Sequence, residues 1–374
     1  MPIKRGSSTI YGGNVRILHL VLSPRLSGAE VLAKDLAIYQ QRSGEAVGVT
    51  ALTPPQDDFA RLHDELLSAG VRCLLPLHAA GLPGRLWGLF RSVRTFRPDV
   101  IFAHATIPAF YVRSLPITVP IVYVMHSATN DFERGLFRTV ERALSRRAEA
   151  IIAVSPENIR DYVAAVRRHP CLELIPNGVD VARFSGQRPA CRCAKTRLIV
   201  QIGRYTSVKN QLLTVHAFAE LIEQVPDARL VLCGVIEDDA YHLAVTDLVS
   251  RLGLDNQVTV EGPRSDVAEL LADATAFAMP SRSEGHSIAF LEALASGIPV
   301  VASDIPPFQF AAHYAAVTLL DPQSTRDYAN GLIAAMNQQR VHRPLIGLTL
   351  ADTAERYLAV ARRVTRREGE MCAG

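Results

Sequence analysis

Glu284 and Glu292 flank a short segment, Glu284-Gly285-His286-Ser287-Ile288-Ala289-Phe290-Leu291-Glu292. Ser287 is a helix N-cap residue type, and Gly297 further on is a helix-stop type. A helix is therefore predicted from about Ser287 to just before Gly297, with Glu284 in the preceding loop and Glu292 inside the helix. The backbone N–H groups of Gly285, His286 and the helix start have no partners within the helix and suit an anion. Glu292 lies more than a turn further in, where a carboxylate does not crowd that anion and can accept hydrogen bonds from sugar hydroxyls. A phosphate at the helix start with a ribose beside it fits the pattern. The competing reading is a solvated loop Glu and a surface helix Glu.

A second constellation is Gly203-Arg204-Tyr205-Thr206-Ser207-Val208-Lys209, which follows the apolar strand Leu198 to Ile202. Arg204 and Lys209 leave that strand end together, and a forked and a point cation suit a diphosphate. Two histidines end strands as well: His104 after Asp99 to Ala103, and His126 after Ile121 to Met125. Ligands of open α/β sheets collect outside the carboxyl ends of strands. For His126 the functional reading is preferred. For His104 a satisfied structural role is preferred, with acceptor contact as the alternative. Glu237-Asp238-Asp239 has a metal-binding composition but begins a helix, so it reads as a first-turn charge cluster.

These residues need a scaffold, and the chain alternates apolar strands with helices. Strands are predicted at Val15 to Leu22, Val47 to Leu52, Val71 to Leu75, Asp99 to Ala103, Ile121 to Met125, Ala150 to Val154 and Leu172 to Ile175. Helices are predicted at Ala29 to Arg42, Phe59 to Ser68, Arg85 to Arg97 and Asp131 to Arg147, with a short one from Ser155. Residues 181–196 read as a linker. The alternation then resumes with strands at Leu198 to Ile202, Arg229 to Cys233, Val258 to Val260, Thr275 to Met279, Ile298 to Ala302 and Ala316 to Leu319. The intervening helices are Gln211 to Gln224, Tyr241 to Leu252, Val267 to Ala272, Ile288 to Ala295 and Arg326 to Asn337. A final helix, Thr353 to Arg367, is basic on one side. The fold class is thus α/β, with two doubly wound domains, about 1–185 and 195–350, facing each other across a cleft. The last helix, about 353–367, is expected to pack back on the first domain.

Composition narrows the function. A chain of 374 residues with 48% hydrophobic content supports two cores. The net charge of +3 conceals an asymmetry. Residues 1–190 carry 23 Lys and Arg against 16 Asp and Glu, while residues 191–374 carry 17 against 21. A basic first half suggests an anionic partner. No nucleic-acid or zinc signature accompanies it, so nucleic acid is not expected. Arg85 to Arg97 is a basic amphipathic helix with the single Trp87, suited equally to an anionic membrane surface and to ordinary packing. The six cysteines read as reduced thiols. The apolar run Val15 to Leu22 is too short for a signal sequence or membrane span. A cytoplasmic protein, peripheral at the inner face of the plasma membrane, is expected. The dinucleotide glycine fingerprint is absent from both domains, which disfavours an NAD oxidoreductase.

The second half resembles the retaining, nucleotide-sugar-dependent GT-B glycosyltransferases of family 4. The matching motifs are Gly203-Arg204 with Lys209, Gly262-Pro263-Arg264-Ser265-Asp266-Val267, Pro280-Ser281 with Glu284-Gly285, and the Glu284/Glu292 pair. Leu174-Ile175-Pro176-Asn177-Gly178-Val179-Asp180 is similar to the family's segment entering the linker. Ser27-Gly28-Ala29-Glu30, His126 and Ala153-Val154-Ser155 fit its first domain more loosely. The resemblance implies that Arg204 and Lys209 hold the diphosphate in place of a metal. It implies that Glu292 binds the ribose and that Glu284, Gly285, His286 and Ser287 hold the transferred sugar. His126 would contact that sugar, Gly28 would close on the phosphates, and Arg264 would border the base. Ser27, Gly28 and His104 are the candidate acceptor contacts.

The resemblance further implies transfer of a hexose-type sugar to a glycan or lipid-linked acceptor in surface polysaccharide synthesis, without a cofactor or required metal. A UDP-sugar is the expected donor, with GDP next. Departures from the pattern are His286 in place of an apolar residue, a missing second glycine after Cys233-Gly234, and a single glycine in the first loop. Two competitors are a nucleotide-sugar 2-epimerase and a non-catalytic sugar-binding partner subunit.

Overall fold

The computed structural model describes residues 14–126, 131–185 and 197–371. The linker residues 186–196 with Cys191 and Cys193, the basic lead 1–13, and Cys372 lie outside the described residues. The first domain runs β1 (Arg16–Val21), α1 (Gly28–Arg42), β2 (Ala46–Ala51), α2 (Ala60–Ser68), β3 (Arg72–Leu74), α3 (Leu82–Phe96), β4 (Val100–His104), α4 (Thr106–Ser114), β5 (Ile121–Met125), α5 (Gly135–Leu144), β6 (Ala150–Ala153), α6 (Pro156–Ala165) and β7 (Leu172–Leu174); α7 (Val181–Ser185) follows and packs Phe184 into the core of the second domain. The second runs β8 (Leu198–Ile202), α8 (Gln211–Ile222), β9 (Arg229–Cys233), α9 (Asp239–Arg251), β10 (Val258–Glu261), α10 (Val267–Asp273), β11 (Ala276–Met279), α11 (Ile288–Ser296), β12 (Val300–Ser303), β13 (Val317–Leu320) and α12 (Thr325–Met336). The chain ends in α13 (Leu350–Met371).

Among the described residues the sheets are ordered β3-β2-β1-β4-β5-β6-β7 and β10-β9-β8-β11-β12-β13. Every pairing is parallel. Strands covered on both faces read as continuous apolar runs rather than alternating ones. All five residues of β4 and of β5 are accordingly buried. Each sheet reverses its strand order once, between β1 and β4 and between β8 and β11, and crevices for ligands open at such points.

The last helix crosses back to the first domain. Ala354, Tyr357, Leu358, Ala361 and Val364 of α13 pack against Ile17, Leu32, Leu36, Val100 and Phe102. Arg362 pairs with Glu45 at 2.7 Å, and Arg363 pairs with Glu173. The basic side of α13 is thereby used in holding the first domain's outer layer.

Three elements differ from the sequence-based expectation, one of them α7, a helix over the first residues of the segment 181–196 read as a linker. α4 was not anticipated. It is short, contains Pro108, and enters through Ala105 at φ 79°, a left-handed conformation rare for a non-glycine residue. The helix expected over Asp131 to Arg147 is broken into a turn, α5 and a second turn, because Arg134 before Gly135 is extended. α3 buries Leu89, Val93 and Phe96 one turn apart, as an ordinary domain helix does, and leaves Trp87 66% exposed on the other side.

Candidate active site

Five loops face one another where the two sheets reverse order. The loop after β1 carries Arg25, Ser27 and Gly28. Those after β4 and β5 carry Thr106 and His126. Those after β8 and β11 carry Arg204, Lys209, Glu284, Gly285 and His286. All of these line one cavity of about 440 Å³ between the domains.

The β11 loop is set by its helix. Ser287 caps α11 by accepting from the Phe290 N–H, and Gly297 closes the helix at φ 76°. Gly285, His286 and Ser287 line the cavity at the positive end of α11. Asn177 fixes the loop from below by donating to the His286 carbonyl at 2.6 Å. The His286 ring stacks on Phe310 with centroids 5.4 Å apart. Burial pushes His286 down to about 4, so the ring is neutral at physiological pH.

The β8 loop brings the cations. Lys209 Nζ meets Glu284 Oε1 at 2.5 Å, with the two side chains 12% and 5% exposed. The loop is tightly seated. Gly234 has φ +156°, and a Cβ there would meet the Gly203 carbonyl oxygen at 2.1 Å, so only glycine lets the two strand ends approach. Arg204 pairs with Glu237, and Glu237 also takes Arg25 of the first domain at 3.3 Å. One carboxylate thus bridges cations from both sides of the cleft. Asp238 caps α9 by accepting from Tyr241 N–H. The acidic run read as a helix-start cluster is therefore divided: Asp238 serves the helix, and Glu237 serves the cleft.

Glu292 lies deeper and is buried, which pushes its carboxyl up to about 8. Arg183 and Lys34 oppose that rise, and Asp35 adds to it. Lys34 is itself held by Asp35 at 2.5 Å and Glu65 at 2.7 Å. Arg264 is clamped by Asp266 and, at 3.0 Å, by Glu261, on the cavity edge. Gly28 stands against the start of α11; a Cβ there would touch Ile288 at 3.6 Å. The Ser27 hydroxyl donates to Glu30.

His104 takes the structural role, and the acceptor contact given as its alternative is corrected. Its side chain is buried, 1% exposed, and lies behind His126 rather than in the cavity wall. It bonds His126 on one side and His19 on the other, so it is not placed to touch an acceptor. Sequence reasoning also missed Arg25, Lys34 and Arg183. Arg25 carried the same signal as Arg204, a cation just past a strand's carboxyl end. Lys34 and Arg183 sit on helices and carried no local signal. Cys73, Cys171 and Cys233 are free thiols. Among the described residues no cluster of three His, Cys, Asp or Glu side chains suits a metal ion.

The model of the family described as Glycosyl transferases group 1 matches residues 192–346, and that of Glycosyltransferase Family 4 matches residues 26–183. The GDP-mannose:cellobiosyl-diphosphopolyprenol alpha-mannosyltransferase of Xanthomonas campestris is 30% identical over 79% of this chain and 80% of its own. The phosphatidyl-myo-inositol mannosyltransferase of Mycobacterium tuberculosis is 26% identical over 91% and 89%. In fold, the chain matches HepE of Anabaena in complex with UDP and glucose, with a TM-score of 0.73, 20% identity, and coverage of 96% of this chain and all of that one.

Proposed function

The chain belongs to the group 1, family 4 glycosyltransferases, and on that premise we propose that it transfers mannose from GDP-mannose, with retention of configuration, to a hydroxyl of a lipid-linked or glycan acceptor. The observation that carries the reading is the convergence of Arg204, Lys209, the start of α11 and Glu292 in one cleft. Two cations and a helix start answer a diphosphate, and a carboxylate beside them answers a ribose. The choice of GDP-mannose over the UDP-sugar expected from sequence rests on those curated relatives whose names specify GDP-mannose or mannosyl transfer.

The chemistry follows from the charges. The bond between sugar C1 and the phosphate oxygen breaks, and both electrons leave with the nucleoside diphosphate. Negative charge grows beside Arg204, Lys209 and the positive end of α11, all of which line the cleft. The acceptor hydroxyl attacks C1 from the leaving group's side, and its proton passes to the departing phosphate. Cationic side chains in the place of a metal make a metal-independent reaction the reading, in a protein acting at the cytoplasmic face of the membrane. The exposed Trp87 and Leu82 on α3, beside Arg85, Arg91 and Arg94, supply a membrane contact. No described helix is long and apolar enough to cross a membrane.

The test is incubation with labelled GDP-mannose or UDP-glucose in EDTA, with and without a short-chain prenyl-diphosphate disaccharide. The reading expects acceptor-dependent α-mannoside from GDP-mannose. Epimerised donor formed without acceptor would overturn it.

Glu292 gives the reading a pH signature. The free carboxyl is raised to about 8 by burial, and two ribose hydroxyls donating to it favour the ionised form. Donor binding then releases a proton below about pH 8, so affinity rises with pH and levels off above it, by at most about tenfold per unit. Calorimetry in buffers of different ionisation enthalpy measures that proton. The Glu292→Gln variant should release none and bind weakly at every pH; an unchanged pH slope in that variant would remove Glu292 from the ribose site.

A further inference from the structure

Three histidines, none of them used in the leaving-group chemistry described above, lead away from the cleft in one line. Gln40 Oε1 lies 2.8 Å from His19 Nε2, His19 Nδ1 lies 2.9 Å from His104 Nε2, and His104 Nδ1 lies 2.9 Å from His126 Nε2. The rings are stacked, with centroids 5.2 Å apart at both steps, and Phe102 covers His19 at 5.5 Å. The sheet builds the line. β4 lies between β1 and β5, with His19 beside Phe102 and His104 beside Val124. Gln40 comes from α1, and Gln40, His19 and His104 are fully or almost fully buried.

We propose that Gln40, His19 and His104 are positioning residues that hold His126 in its Nε2–H tautomer, so that its Nδ1 meets the cleft as a bare acceptor for a sugar hydroxyl. The proposal rests on the reading that His126 faces the transferred sugar. A neutral imidazole has one N–H and one lone pair, so each hydrogen bond in the line dictates the next. A carbonyl oxygen only accepts, so His19 Nε2 carries the proton and its Nδ1 is bare. His104 then donates through Nε2 and accepts through Nδ1, and His126 donates through Nε2. Its remaining nitrogen, Nδ1, has no partner among the described residues, and the residue lines the cavity.

The rings remain neutral because burial lowers His19 and His126 to about 4 and holds His104 well below its usual range. Gln40 sets the direction by turning its oxygen to His19 and leaving its Nε2 without a partner among the described residues. Were its amide reversed, every N–H in the line would reverse with it and His126 would become a donor. An acceptor at that point selects a neutral hydroxyl and disfavours a carboxylate or carbonyl oxygen, which makes Gln40 a specificity determinant some distance from the sugar.

The test reads the tautomer directly, through long-range proton–nitrogen correlation spectra, with His126 assigned by its loss in His126→Asn. The wild type should show an unprotonated Nδ1 and a protonated Nε2. Gln40→Leu removes the terminal acceptor, and His104→Phe keeps the stacked ring without its nitrogens. Either should give a mixed His126 tautomer and lower kcat by about tenfold with little change in KM. Gln40→Glu keeps an acceptor oxygen and should restore both readings. A protonated Nδ1 in the wild type, or an unmixed tautomer in both Gln40→Leu and His104→Phe, overturns the proposal. The spectra require no turnover, so absent sugar transfer with a fixed tautomer would sink the transferase reading and leave the histidine line standing.

Discussion

Replacing Lys209 with alanine should lower kcat/KM for sugar transfer by a factor of about a hundred to a thousand, the range seen when a preorganised group facing developing negative charge is removed. Two effects add. The departing diphosphate loses a point charge that is already in position. Glu284, 5% exposed and 2.5 Å from Lys209 Nζ, is left as a carboxylate without its cation in a poorly solvated wall. The loss should fall on KM as well as kcat, since Lys209 holds the diphosphate of the bound donor and also meets the charge that grows in the transition state. Lys209→Arg retains a cation but has a wider fork on a shorter tether, and should recover only part of the rate. Steady-state kinetics on both variants, with a thermal melt to verify folding, measures this. A Lys209→Ala enzyme within fivefold of wild type would remove Lys209 from the chemistry.

The second large effect concerns stability. Arg113 of α4 and Glu141 of α5 are both fully buried. The guanidinium is bidentate to the carboxylate, at 3.0 and 2.6 Å, and its Nε–H donates to the Ala109 carbonyl at 3.0 Å. The Tyr162 hydroxyl donates to Glu141 at 2.8 Å, and the Arg113 guanidinium lies over the Tyr123 ring. Glu141→Ala leaves a buried guanidinium without a counter-ion and should cost about 3–5 kcal/mol. For a domain of this size that is a fall in Tm on the order of 10 °C. Arg113→Met combined with Glu141→Leu removes both charges and fills the space, so it should recover most of the loss. Urea melts of the single and double variants test the coupling. Single-variant stability within about 1 kcal/mol of wild type would show that water reaches the pair.

The architecture was legible because its strands are buried on both faces. Ile121 to Met125, Leu198 to Ile202 and Arg229 to Cys233 are uninterrupted or nearly uninterrupted apolar runs, and each forms a strand with those limits. α4 was hidden because nine residues containing a proline carry little periodicity, and its entry depends on the conformation of Ala105. The donor-side candidates could be found because Arg204, Lys209 and Glu284 lie in loops that follow strand ends, where chemistry-bearing residues stand out from an apolar background, and Glu292 is a lone carboxylate in the apolar helix that comes next.

What stayed hidden was pairing at long range. Nothing local joins Arg25 to Glu237, 212 residues apart, and Glu237 looked like part of a helix start. His19 lies in mid-strand, where it reads as an ordinary interior residue. Its link to His104 exists only because β1 and β4 are neighbours in the sheet. The rise of Glu292 to about 8 depends on burial contributed by both domains, so the spacing to Glu284 could place the carboxylate but not its protonation.

The most direct test of the account is calorimetric titration of GDP-mannose and UDP-glucose into the wild type and Lys209→Ala, with metal chelated throughout. The account predicts one-to-one binding of GDP-mannose by the wild type in EDTA, weaker binding of UDP-glucose, and loss of both in the variant. Binding that appears only on adding magnesium, or that survives unchanged in Lys209→Ala, would contradict a diphosphate site built from Arg204, Lys209 and the start of α11.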